Sequence, residues 1–216
     1  MKSPVALTRV AVRSALNSAL TLALFTGAAY AAETKPGFKP DAAKGQQIAA
    51  TCMACHTADG TRGVPANPIL QGQHPEYLVK QLVEFKSGKR KSAVMMGMAS
   101  TLSDEDMKHV AAFYGSKQAK PGFAKSKDTV TLGEQIWRGG ILARAVPACA
   151  GCHSPNGAGI PAQYPRIASQ HGDYIETQLL GFRSGARGNN AQMSAIAAKL
   201  NEREIKAVSD YAAGLR

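Results

Sequence analysis

The amino-acid sequence repeats itself. Cys52-Met53-Ala54-Cys55-His56 returns 97 positions later as Cys149-Ala150-Gly151-Cys152-His153. The same offset relates Pro68 to Pro165, Gln73-His74 to Gln170-His171, Tyr77 to Tyr174, and Gln81-Leu82 to Gln178-Leu179, and it carries Phe85, Gly88 and Arg90 onto Phe182, Gly185 and Arg187. Farther on the offset is 98, pairing Leu102 with Leu200, Val110 with Val208 and Phe113 with Tyr211, so one residue is gained near the methionines. Upstream, Gly45-Gln46-Gln47-Ile48 resembles Gly133-Glu134-Gln135-Ile136, but the second copy has nine more residues before its first cysteine, a stretch we take to include Trp137 and Pro147. A duplicated unit must fold twice, so the chain is expected to form two small domains with thin cores rather than one large one.

Lysine-rich Ser116 to Asp128, with Pro121 and Gly122 and no apolar period, reads as an exposed linker. The expected bounds are 33–118 and 129–216 for the domains and 119–128 for the linker. Residues 1–32 read as a cleaved secretory signal peptide. They have a basic start (Lys2, Arg9, Arg13), an apolar run, and small residues at Ala29-Tyr30-Ala31. The run from Ala15 to Ala29 is broken by Asn17 and Ser18 and falls short of the ~20 apolar residues of a spanning helix. Removing this segment takes away three positive charges and no negative ones, lowering the net charge from +11 to +8. The remainder divides as +3, +2 and +3 over 33–118, 119–128 and 129–216. No basic arm results, which argues against nucleic-acid binding.

Each copy is patterned for helices. Tyr77, Leu78, Gln81, Leu82 and Phe85 place one stripe on a helix that stops at Gly88. Ser103-Asp104-Glu105-Asp106 and Asn201-Glu202-Arg203-Glu204 read as N-caps with an acid three positions later, opening a terminal helix. No alternating run makes a strand, so the fold class expected is all-α.

Four cysteines in an exported chain would ordinarily form two disulfides. Histidine immediately after each Cys-x-x-Cys points instead to covalent haem. One short turn presents two thiols to the two vinyl groups of a single haem and holds the histidine as an axial iron ligand. Cys52, Cys55, Cys149 and Cys152 are therefore the expected attachment points, and His56 and His153 the proximal ligands. A zinc site would have to join motifs in separate copies.

Methionine is the expected sixth ligand. Met193 is the only methionine after Met107 and lies between the long and terminal helices of the second copy. Its counterpart lies among Met95, Met96 and Met98. The pattern Met-x-x-apolar-Ala-x-x-Leu, shared by 95–102 and 193–200, selects Met95, with Met96 next. Histidine–methionine ligation fills both axial positions, the arrangement of an electron carrier. His74 and His171 then read as helix-terminal polar residues and His109 as a surface residue. Lys89-Arg90-Lys91 reads as a solvated cluster at a helix end, and Tyr77, Tyr174, Phe85 and Phe182 as packing residues.

The doubled Cys-x-x-Cys-His, each followed by Pro-x-apolar, Gln-x-x-x-Tyr and a methionine before a terminal helix, closely resembles the cytochrome c4 family over nearly all of the mature chain. The resemblance implies tandem class I cytochrome c domains facing each other by pseudo-two-fold symmetry, with two covalent haem c groups. It implies that the Pro68 and Pro165 carbonyls accept a hydrogen bond from the proximal histidines. It also implies an electron donor to a terminal oxidase such as the cbb3 type, fed by an upstream respiratory donor. The signal peptide places the chain in the periplasm, the filled axial positions read as a carrier and not an enzyme, and a monomer that can associate peripherally with the membrane is expected. Ser169 in place of Gly72 and the enlarged segment before Cys149 depart from the internal match. The competing functions are the cytochrome subunit of a flavocytochrome c dehydrogenase, and a di-haem peroxidase, which a methionine in each half opposes. A thiol oxidoreductase or zinc protein is a further alternative.

Overall fold

The computed structural model describes residues 37–118 and 120–216, and the predicted signal peptide lies outside them. Phe38–Arg216 forms one compact unit. Among the described residues there are helices but no strands, only the isolated bridges Ile141–Val146 and Ile160–Tyr164.

The first half contains α1 (Ala42–Ile48), α2 (Met53–His56), α3 (Pro75–Lys86), α4 (Ala93–Ser100) and α5 (Asp104–Gly115). The second contains α6 (Lys127–Gly139), α7 (Ala150–His153), α8 (Gly172–Ser184), α9 (Ala191–Ala197) and α10 (Glu202–Ala213), with a 3-10 turn at Leu142–Arg144. The first and last helices of each half cross at a glycine. A Cβ on Gly45 would collide with the His109 carbonyl of α5, and one on Gly133 with the Ala207 carbonyl of α10. This explains the upstream match at Gly45 and Gly133, since only glycine lets the two backbones approach so closely.

Both terminal helices open with complete capping boxes, Ser103 with Asp106 and Asn201 with Glu204. The long helices α3 and α8 end at left-handed glycines, Gly88 (φ 75°) and Gly185 (φ 81°). The second half has the broader apolar core, joining Ile136, Trp137, Val146, Ile175, Leu179, Phe182 and the inner face of α10. The first-half cluster is Ala49, Leu78, Val110, Ala111, Phe113 and Tyr114.

Three sequence expectations are corrected. Trp137 is not part of the insertion. With Gly45 matched to Gly133 it occupies the position of Ala49 on the helix, and the added residues are the turn that follows, pinned by an Arg144–Glu204 ion pair and buried Val146. His109 is buried, not on the surface, because α1 packs over it; its Nδ1 accepts from the Asp41 amide at 2.8 Å. Arg90 is also buried, because it crosses between the halves rather than facing water.

The halves meet through reciprocal polar contacts, at equivalent positions for the Gln and Arg residues and one residue out of register for the acceptors of the two histidines. Gln73 pairs with both backbone groups of Arg166, accepting from its amide (2.9 Å) and donating to its carbonyl (2.8 Å). Gln170 does the same to Ile69 (2.9 and 3.0 Å). His74 Nε2 donates to the Ala158 carbonyl and His171 Nε2 to the Arg62 carbonyl, at 2.9 and 2.6 Å. Arg90 donates to the Tyr174 hydroxyl and to Gln178, and Arg187 to the Tyr77 hydroxyl and to Gln81. Exchange of i–j for j–i contacts is the mark of a two-fold interface. The linker side is held by Arg62, which donates to the Lys120 and Ser169 carbonyls, and by Asp210, which accepts from the Lys125 and Ser126 amides.

Candidate haem-binding sites

Each Cys-x-x-Cys-His forms a single helical turn that follows its first cysteine and ends at its histidine. The chain leaves the turn through a left-handed residue, Thr57 (φ 27°) or Ser154 (φ 68°). No disulfide joins any of the four cysteines. Burial raises the Cys52 thiol above its ordinary value and pushes Cys149 up to about 11. A redox dithiol or zinc site needs the opposite shift, toward thiolate. Among the described residues no three His, Cys, Asp or Glu side chains converge to hold a metal ion.

His56 and His153 are both buried. Each donates its Nδ1 proton to a proline carbonyl twelve residues on, His56 to Pro68 at 2.9 Å and His153 to Pro165 at 3.0 Å. A carbonyl oxygen only accepts, so the proton sits on Nδ1 and the Nε2 lone pair is left for a metal. Burial lowers both imidazoles below their ordinary value, which keeps them neutral and ligand-competent. Trp137 lies 6.3 Å from His153 between ring centroids, and Tyr164 lies edge-on to it at 6.0 Å.

The methionines fall on corresponding short helices. Met95 is the third residue of α4, its amide facing the Ser92 hydroxyl at 3.4 Å. Met193 is the third residue of α9, its amide donating to Asn190 Oδ1 at 2.9 Å. Met95 is half-buried, whereas Met96 and Met98 are 39% and 36% exposed. Met193 is half-buried and packs against the second core.

These donors fit a c-type haem in each half: two thiols for thioether links, an imidazole with Nε2 free, and a soft thioether sulfur on a separate helix. Buried Tyr114 adds to the fit. Its hydroxyl has no hydrogen-bond partner in the protein, Cys52 packs against the same first-half cluster, and burial, reinforced by that thiol, raises its pKa above the phenol range.

His74 and His171 are spent on the interface and do not join the Cys-x-x-Cys-His turns. Phe85 and Phe182 are core residues, with Arg90 and Arg187 stacked on their rings. The hydroxyls of Tyr77 and Tyr174, by contrast, bind arginines of the opposite half. Sequence reasoning missed the whole Gln, Arg and Tyr interface set. Its signal was present in the repeat itself, in the recurrence of the same Gln, Arg and Tyr residues in both copies.

Paired helical units, each presenting a proline-oriented Cys-x-x-Cys-His, define a tandem c-type cytochrome. The profile of the Cytochrome c family matches residues 42–116 and 133–215. Cytochrome c4 of Pseudomonas aeruginosa is 44% identical over 91% of this chain and 95% of its own. The crystal structure of reduced cytochrome c4 from Pseudomonas stutzeri superposes with a TM-score of 0.77 at 39% identity, covering 82% of this chain and all of that one. A protein of Stutzerimonas stutzeri named thiosulfate dehydrogenase electron acceptor is 36% identical over 81% of this chain and 87% of its own. The chain belongs to the cytochrome c4 family, di-haem electron carriers with covalently bound haem c.

Proposed function

We propose that this chain carries electrons one at a time in the periplasm, between an upstream respiratory donor and a terminal oxidase such as the cbb3 type. Cys52 and Cys55 hold the first haem and Cys149 and Cys152 the second, with His56 and Met95, and His153 and Met193, as the axial iron ligands. Bound haem supplies the reversible one-electron iron couple. The protein's part is to keep both axial positions filled, to shield the iron from water and to hold two centres at a set separation. The observation that carries this reading is the pair of histidines whose Nδ1 protons are committed to Pro68 and Pro165 within one compact unit. Neutral imidazole and thioether ligands favour outer-sphere transfer over binding of peroxide or oxygen. Among the described residues no helix is long and apolar enough to cross a membrane. Association with the membrane in this reading is peripheral.

The test is turnover. Reduced holoprotein is mixed with membranes containing a haem–copper oxidase, and its reoxidation is followed optically. Fast, cyanide-sensitive reoxidation is expected, and reoxidation no faster than in membrane-free buffer overturns the oxidase assignment. A second reading, acceptor of electrons from a dehydrogenase, is favoured by the relative named for thiosulfate dehydrogenase. Rapid reduction by such an enzyme with thiosulfate would select it, and copurification with a flavoprotein would select the flavocytochrome variant.

A further inference from the structure

Glu84 and Asn189 mark the two places where the copies stop matching, and the folded chain brings them together. Glu84 corresponds to Gly181 at the offset of 97. Arg90 and Arg187 keep that offset, whereas the helix-capping Ser92 and Asn190 are 98 apart, so the residue gained by the second half lies at 188–189, opposite Lys91 alone. Asn189 is buried at 5% exposure and all its polar groups are used. Nδ2 donates to Glu84 Oε2 at 2.6 Å and to Gln81 Oε1 at 3.2 Å, and Oδ1 accepts from Arg187 Nε at 3.0 Å. The next residue, Asn190, caps α9 and holds the Met193 amide.

Nothing equivalent runs the other way. Gly181 has no side chain, Lys91 is exposed, and the Ser92 cap on Met95 is the longer of the two. Glu84 is also buried (5% exposed) and is anchored on its own side by Lys80 at 2.7 Å and Lys89 at 3.3 Å. Burial pushes its carboxyl upward, but hydrogen bonds from Lys80 and Asn189 outweigh this and keep it an anion. A hydrogen bond to a buried charge is among the stronger ones available to a folded chain.

We propose that Glu84 is a positioning residue for the second haem site, holding Asn189 from across the interface and so bracing the start of α9 against displacement of Met193, while Met95 has no such brace. The proposal rests on Met193 being an axial ligand.

Imidazole, which competes with methionine for ferric iron, is the probe. It is titrated into the oxidised holoprotein while the methionine-to-iron charge-transfer band and the strongly shifted methyl proton resonances of the two coordinated methionines are recorded. Asn189→Ala should raise the imidazole affinity of the second haem about tenfold, the cost of one charge-assisted hydrogen bond, and leave the first haem unchanged. Glu84→Ala should do the same, and Glu84→Gln, which keeps an acceptor for Asn189, should restore most of the resistance. If both methionine resonances are present and the variants change neither haem, or both alike, the bracing role is overturned. A Met193→Ala protein that keeps both methionine resonances overturns the Met193 assignment, and the proposal with it.

Discussion

His56 and His153 show how little a residue's type says until its hydrogen bond is known. Each imidazole has two nitrogens, and the proline carbonyl that takes the Nδ1 proton is what leaves the other with a free lone pair for a metal. Replacing Met193 by alanine should convert one of two low-spin haems and lower its potential, halving roughly the methionine charge-transfer band in the oxidised spectrum. An unchanged band would exclude Met193 as a ligand. Ser169 is a second single-residue case. It stands at φ 61°, the left-handed conformation of Gly72 (φ 72°), and its hydroxyl donates to the Leu215 carbonyl at 3.3 Å. Ser169→Gly relieves the strain but loses that bond, so thermal unfolding should shift by less than about 1 kcal/mol.

Helix ends and helix crossings decide the stability of each half. Gly133→Ala forces a methyl into the Ala207 carbonyl, and chemical denaturation should show a loss of at least about 2 kcal/mol. Glu204 closes the capping box of α10 and pairs with Arg144. Burial raises its carboxyl, but the Arg144 hydrogen bond, the Asn201 amide and the Arg144 charge together bring it below its ordinary value of 4.5. A depressed carboxyl adds stability that is complete above that ordinary value and is lost as pH falls through the folded value. Glu204→Gln should therefore cost about 1 kcal/mol at neutral pH and progressively less in acid. Denaturation midpoints of the two proteins that fail to converge as the pH is lowered would contradict this.

At the scale of the whole molecule, the halves are fused by polar contacts rather than a shared apolar core. The Gln73 and Gln170 amides mimic strand pairing to Arg166 and Ile69, and removing one leaves a buried backbone amide and carbonyl unpaired. Gln73→Ala with Gln170→Ala should split a single calorimetric transition into two, with each haem spectrum retained. A single transition at the original temperature would mean that the interface contributes nothing to cooperativity.

By itself the sequence determined what depends on neighbours along the chain: the attachment turns, the capping boxes, the glycine stops, the duplication and the all-α class. Resemblance, not spacing, pointed to the carbonyls of Pro68 and Pro165, because a contact twelve residues away depends on how the intervening loop folds. Burial of His109 followed from α1 lying over α5, and Arg90 lost its solvent only because the second half covers it. Tertiary structure alone decided the interface and the meeting of Glu84 with Asn189. Both join residues about a hundred positions apart, and no local period encodes which polar side chain will face another once two copies dock.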